Sequence, residues 1–133
     1  MRRMDAPPPH FHQVTDNLRA PYRELSDAVP GVMAGYNAMH TAAMAEGALT
    51  MRVKELIALA IAVTRECDGC ISSHARGAAR RGATVEEVTE MIGVAILLNG
   101  GPGTVWGSRA LAAFHEYADE GGSRGSGAPP PAV

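Results

Sequence analysis

Between Val14 and Tyr117 apolar residues return every third or fourth position, in runs that Pro and Gly interrupt, and this spacing narrows the possible folds more than anything else in the chain. It is the period of a helix surface, so amphipathic helices and not strands should form the core. The apolar share of 46% is carried by Ala, Val, Leu, Ile and seven Met, against one Trp, three Tyr and two Phe. Such side chains suit helices better than a β-sandwich. At 133 residues, one all-α domain is expected.

Punctuation divides the periodic stretch into about six helices. Val14, Leu18, Tyr22 and Leu25 mark a short first helix, with Pro21 able to sit at a helix start and Pro30-Gly31 closing the segment. Val32 to Met44 reads as a second, ended by Gly47, and Thr50 caps a third that runs from Met51 to about Arg65. A fourth starts between Asp68 and Cys70 and stops at Gly82. Thr84 and Glu87 form a capping box for a fifth, apolar all round from Ile92 to Leu98 and so expected to be covered on several sides, within the domain or by another subunit. A turn over Asn99 to Gly103 precedes a last helix from Val105 to Tyr117. Residues 1–13, with three prolines, and 120–133, rich in Gly, Ser and Pro, read as disordered tails around a 14–119 domain.

A net charge of −2 and a single lysine, Lys54, argue against nucleic-acid binding, which needs concentrated positive charge. Lys54, Arg65 and Glu66 on one side and Asn99 to Gly101 on the other break every apolar run long enough for a bilayer, so no membrane partner is expected. The N-terminus lacks an apolar stretch behind Arg2 and Arg3, which points to the cytoplasm. In that reducing compartment, two close cysteines are redox-active or metal-binding before they are structural.

Cys67-Asp68-Gly69-Cys70 is that pair, and His74 follows four residues after Cys70. A continuing helix puts imidazole and thiol on one face, and a helix start at Asp68 or Gly69 puts Cys70 in the first turn, where the macrodipole favours a thiolate. Cys67 is then placed to close an intramolecular disulfide. Glu55 lies in a heavily apolar stretch, where a buried carboxylate needs a partner, and His74 is the candidate. The alternative is an exposed Glu55 paired with Arg52 or Lys54.

The spacing of Glu55, Cys67, Cys70 and His74, followed by Ala78, Gly82, Ala83, Glu86 and Glu87, resembles the alkylhydroperoxidase D-like branch of the carboxymuconolactone decarboxylase family over roughly Met51 to Leu98. The resemblance implies an all-helical fold assembled as homotrimers or homohexamers, and a CxxC cycling between dithiol and disulfide. It also implies that Cys70 attacks, Cys67 is its partner, His74 is the base and Glu55 the relay carboxylate. The substrate would be a hydroperoxide or a disulfide, reset by a thiol electron donor that can be a protein, with no cofactor and no metal. The best-known peroxidase members carry histidine just before the second cysteine, where this chain has Gly69.

Four other readings stand beside it: a pair of small buried cysteines, a zinc site made by Cys67, Cys70 and His74, the decarboxylase chemistry of the broader family, and a non-enzymatic oligomer whose cysteines sense redox state or hold a metal. Zinc usually wants four ligands, and no second Cys pair exists. The decarboxylases do not use CxxC. Tyr36 and His40 share a helix face and can border the pocket, the Met residues read as core filler, and His10 and His12 carry little weight in a Pro-rich tail.

Overall fold

A computed structural model describes residues 10–122. They form six helices: α1 (His10–Ala28), α2 (Pro30–Met44), α3 (Met51–Thr64), α4 (Asp68–Arg80), α5 (Val85–Asn99) and α6 (Gly101–Gly122). The expected all-α architecture is what the chain adopts. Thr50 caps α3 by accepting the Val53 N–H, and Thr84 and Glu87 complete both halves of the capping box on α5.

α4 occupies the centre, packed by α1, α3 and α6, while α5 lies against α3 and α6. Ile71, Ala75 and Ala78 on α4 are fully buried beside Leu59 and Val63 of α3, Val88 of α5 and Phe114 of α6. Small residues on the central helix let its neighbours approach closely. Burying each large side chain among these contributes on the order of 1.5–3 kcal/mol. α2 is different: none of its residues is buried. Lys54 ties it down by donating from Nζ to the carbonyls of Ala43 and Ala45 at its C-terminal end.

Several boundaries differ from expectation for physical reasons. α1 begins at His10, ahead of the expected tail boundary at residue 13, because Phe11 inserts into the core and the Glu116 carboxylate of α6 accepts the backbone N–H groups of Phe11 and His12. Residues 1–9 and 123–133 of the two expected tails lie outside the described residues. Pro21 lies inside α1 instead of starting a helix. The turn after α5 shrinks from Asn99–Gly103 to Gly100, which takes φ +66°, and α6 starts at Gly101 and continues past residue 119 to Gly122. Gly103 and Gly107 serve packing. A Cβ on Gly107 would lie 2.6 Å from Ile92 Cγ2, and one on Gly103 would lie 3.1 Å from Ile96 Cα. The apolar end of α5 stays open in the single chain, with Leu97 80% and Leu98 81% exposed. Among the described residues no helix is long and apolar enough to cross a membrane.

Candidate active site

The link from α3 to α4 places both cysteines. α3 ends at Thr64, and the chain reverses as Glu66 N–H donates to Val63 O and Cys67 N–H to Ala62 O. Glu66 takes φ +54°, a left-handed conformation that a residue with a Cβ adopts at a cost. Cys67 thereby becomes the N-cap of α4, one position earlier than the expected Asp68 or Gly69. Its Sγ accepts the Cys70 N–H at 3.2 Å. Cys67 and Cys70 are joined by a disulfide, with Cα atoms 5.2 Å apart. Cys70 is exposed and Cys67 half-buried.

The helix start adds a second electrostatic feature to the macrodipole. Both sulfurs sit in the first turn, but the backbone donor of the helix end is aimed at Cys67, so that sulfur gains most when the bond opens and a thiolate appears. Cys70 holds the more accessible position.

One turn beyond Cys70, His74 Nδ1 lies 2.8 Å from Glu55 Oε2. With the carboxylate accepting, Nδ1 is the donor, and the neutral ring then presents Nε2 as its basic nitrogen. Both side chains are mostly buried. The space for this pair comes from Gly77: a Cβ there would stand 2.4 Å from Glu55 Cδ and 2.5 Å from Oε1. The cations that compete for Glu55 on paper are engaged elsewhere, Arg52 with Glu87 at 3.5 Å and Lys54 with the end of α2. His40 of α2 stacks its ring near that of His74, with centroids 6.4 Å apart and planes 22° apart, and Tyr36 lies one turn further back.

α1 roofs the other side. Leu18 Cδ1 would lie 3.0 Å from a Cβ on Gly69, so the position between the cysteines has no room for a side chain unless Leu18 shifts. Thr15 Oγ1 is 2.7 Å from Ser72 Oγ, and Ser72, fully buried, also donates to Phe11 O at 2.9 Å and lies 2.6 Å from Tyr117 Oη. Asp68 faces His10 at 3.9 Å. Next to it, His12 has Glu116 on Nδ1 and Glu120 on Nε2. Both nitrogens therefore donate, which only the imidazolium can do. Partial burial alone would lower the His12 pKa, and the two glutamates outweigh it and raise it above 6.5.

Of the four residues singled out in sequence, Glu55 and His74 meet in a hydrogen bond, Cys67 and Cys70 in a disulfide, and His74 follows Cys70 by one turn of α4. Gly77 was missed there, and it reads in sequence as an ordinary helix glycine. His12, assigned to a tail, is part of the domain.

An all-α domain with a CxxC at the start of its central helix and a carboxylate-bound histidine one turn on defines the class. The carboxymuconolactone decarboxylase family profile matches residues 30–113, and the chain belongs to that family. The crystal structure of an apo carboxymuconolactone decarboxylase family protein from Legionella pneumophila superposes with a TM-score of 0.79 at 35% identity, covering 82% of this chain and 97% of that one. An uncharacterized protein of Cupriavidus necator is 41% identical over 90 residues, 68% of this chain and 80% of its own length. Uncharacterized protein 4 in the cox locus of Paracoccus denitrificans is 38% identical over 93 residues, 70% of this chain and 84% of its own. The site is consistent with the alkylhydroperoxidase D-like branch.

Proposed function

We propose that the protein is a thiol–disulfide oxidoreductase with alkylhydroperoxidase-type activity. The observation that carries this reading is the 2.8 Å His74–Glu55 hydrogen bond, one helical turn from Cys70 on the helix that the Cys67–Cys70 pair opens. In the reduced chain His74 Nε2 takes the Cys70 proton, and Glu55 orients the ring and stabilises the imidazolium. The Cys70 thiolate attacks the distal oxygen of a hydroperoxide, the O–O bond breaks, and the alkoxide takes a proton from His74. Cys70 is left as a sulfenic acid. Cys67 then displaces water to form the disulfide, and two electrons from a thiol donor restore the dithiol.

A second assignment exchanges the cysteines, and the Cys70 N–H aimed at Cys67 Sγ favours it. Alkylation kinetics of the reduced chain decide between them. If Cys70 leads, it reacts first at neutral pH, and His74→Ala moves its profile to higher pH, with Glu55→Gln doing so less. A faster Cys67, with a Cys70 profile indifferent to His74→Ala, reverses the roles. Mass spectrometry after hydroperoxide treatment should show the loss of two protons within one chain; an unoxidised chain, or only cross-linked dimers, would sink the oxidoreductase reading.

The reading extends to setting. Exposed Leu97, Leu98 and Val94 favour a homotrimer or homohexamer, and the cytoplasm supplies the thiol donor. Sedimentation as a monomer at micromolar concentration would contradict the assembly.

A further inference from the structure

Beyond the Glu55–His74 pair, the outer face of α4 carries an arrangement that the proposed chemistry leaves unused. Cys70, Ser73 and Arg80 lie on neighbouring rows of one exposed side of the helix, with Arg76 beside Ser73 and Arg80, while Gly77 turns toward Glu55. Cys70, Ser73 and Arg80 are exposed and Arg76 half-buried. Among the described residues neither Arg76 nor Arg80 joins an ion pair, whereas the nearby Arg52 has Glu87. Two like charges four residues apart repel on a helix surface. Arg80 complements the C-terminal dipole of α4, but Arg76, a turn earlier, gains little from it. The acidic residue of the turn, Asp68, faces His10. An exposed sulfur therefore stands at one end of this side of α4 and, toward the other, two arginines without an ion-pair partner among the described residues.

We propose that the Cys70–Ser73–Arg76–Arg80 face of α4 is the docking surface for a low-molecular-weight peptide thiol bearing carboxylates, which reduces the Cys67–Cys70 disulfide. The proposal rests on the oxidoreductase reading and names its electron donor. With a rise of 1.5 Å per residue, Arg76 and Arg80 lie about 9 and 15 Å along the axis from Cys70. An extended peptide thiol places its carboxylates one residue away from its sulfur, on the order of 4–8 Å, within the span of an arginine side chain reaching back along this side of the helix. Cys70, Ser73 and Arg80 are exposed, so this side of the helix is open to a small donor.

The exchange balances. One donor thiolate attacks Cys70 Sγ, the S–S bond breaks, and Cys67 leaves as a thiolate that receives the Cys70 N–H. A second donor thiolate attacks the mixed disulfide, releases Cys70 as a thiolate and departs as the oxidised donor dimer. Two donor thiols supply the two electrons.

The test uses the full-length oxidised protein, with reduced glutathione, neutral β-mercaptoethanol and cationic cysteamine as reductants, following thiol appearance by quenched alkylation and mass spectrometry. Each rate constant is divided by that for β-mercaptoethanol, which removes effects on the disulfide itself. In R76E/R80E the glutathione ratio should fall about 5- to 30-fold and the cysteamine ratio rise, with R76Q/R80Q falling between wild type and this variant. In the wild type, 0.5 M salt should compress the glutathione advantage without any substitution, so the proposal stays testable should a variant misfold. Unchanged ratios together with salt independence overturn the docking surface alone. A reduced thioredoxin whose rate depends on the arginines, beside glutathione that does not, overturns it in favour of a protein donor. A disulfide that β-mercaptoethanol cannot open removes the oxidoreductase reading and the docking surface together.

Discussion

α4 and α2 are of similar length and both border the candidate site, yet they are held in opposite ways. α4 buries Ile71, Ser72, Ala75 and Ala78 among three neighbouring helices, whereas α2 buries nothing and leaves Val32, Tyr36 and Met39 open to solvent. Cys70 and His74 ride on the well-buried element, with Glu55 on α3 beside it, while His40 approaches His74 from the exposed one. The His74–Glu55 hydrogen bond thus joins the two helices that hold the fully buried Leu59 and Ile71.

Four measurements break or sharpen this contrast, in descending order of expected effect. Leu59→Ala, which empties a fully buried position of α3 against α4, should cost about 2–5 kcal/mol in denaturant unfolding, and Met39→Ala on α2 no more than about 0.5 kcal/mol. A concentration-dependent loss for Met39→Ala would show that a further copy covers α2. Next, Gly77→Ala forces a methyl into the Glu55 carboxylate and should cost about 1–3 kcal/mol. It should also shift the Cys70 alkylation profile in the direction of Glu55→Gln; an unshifted profile would mean that the pair tolerates displacement.

The third concerns pH. Because His12 binds its proton more tightly in the fold than at its ordinary value of 6.5, its contribution is complete below that value and fades as pH rises through the raised one. Thermal midpoints across pH 5.5 to 8.5 should therefore include a declining component toward the alkaline side that His12→Gln abolishes. A wild-type curve parallel to that of His12→Gln would remove the ion pair from the account. Last, Gly35→Ala on α2 meets nothing within 4 Å and should stabilise the chain by up to about 1 kcal/mol, opposite in sign to Gly77→Ala.

The same contrast explains what the sequence discloses. Thr50, the Thr84–Glu87 box and the spacing of Cys67, Cys70 and His74 are local signals, each read over three or four residues, and each stands where expected. Glu55, without a local signal of its own, was reached by arguing that a carboxylate in an apolar stretch must find a partner and by the family resemblance. The misses are long-range. Nothing near Phe11 announces that Glu116, more than a hundred residues later, will cap its helix. Gly103 read as turn and Gly77 went unremarked because a glycine that breaks a helix and one that lets another helix approach look alike until the neighbour is known. Cys67, and not Asp68, caps α4 because Glu66 turns the chain one residue sooner than composition suggests.

Through Glu116 and Glu120, His12 also brings the first turn of α1 beside the last turns of α6. The described chain is thus nearly a closed loop in space, and the order in which its helices are joined matters less than their adjacency. A permuted chain opening at Ala48, in the exposed link before α3, and carrying a short bridge from Gly122 to His10 would keep every helix pairing intact except the covalent tie between α2 and α3. Should it fold with an unperturbed Cys67–Cys70 pair, the candidate site belongs to the arrangement of helices and not to the path of the backbone.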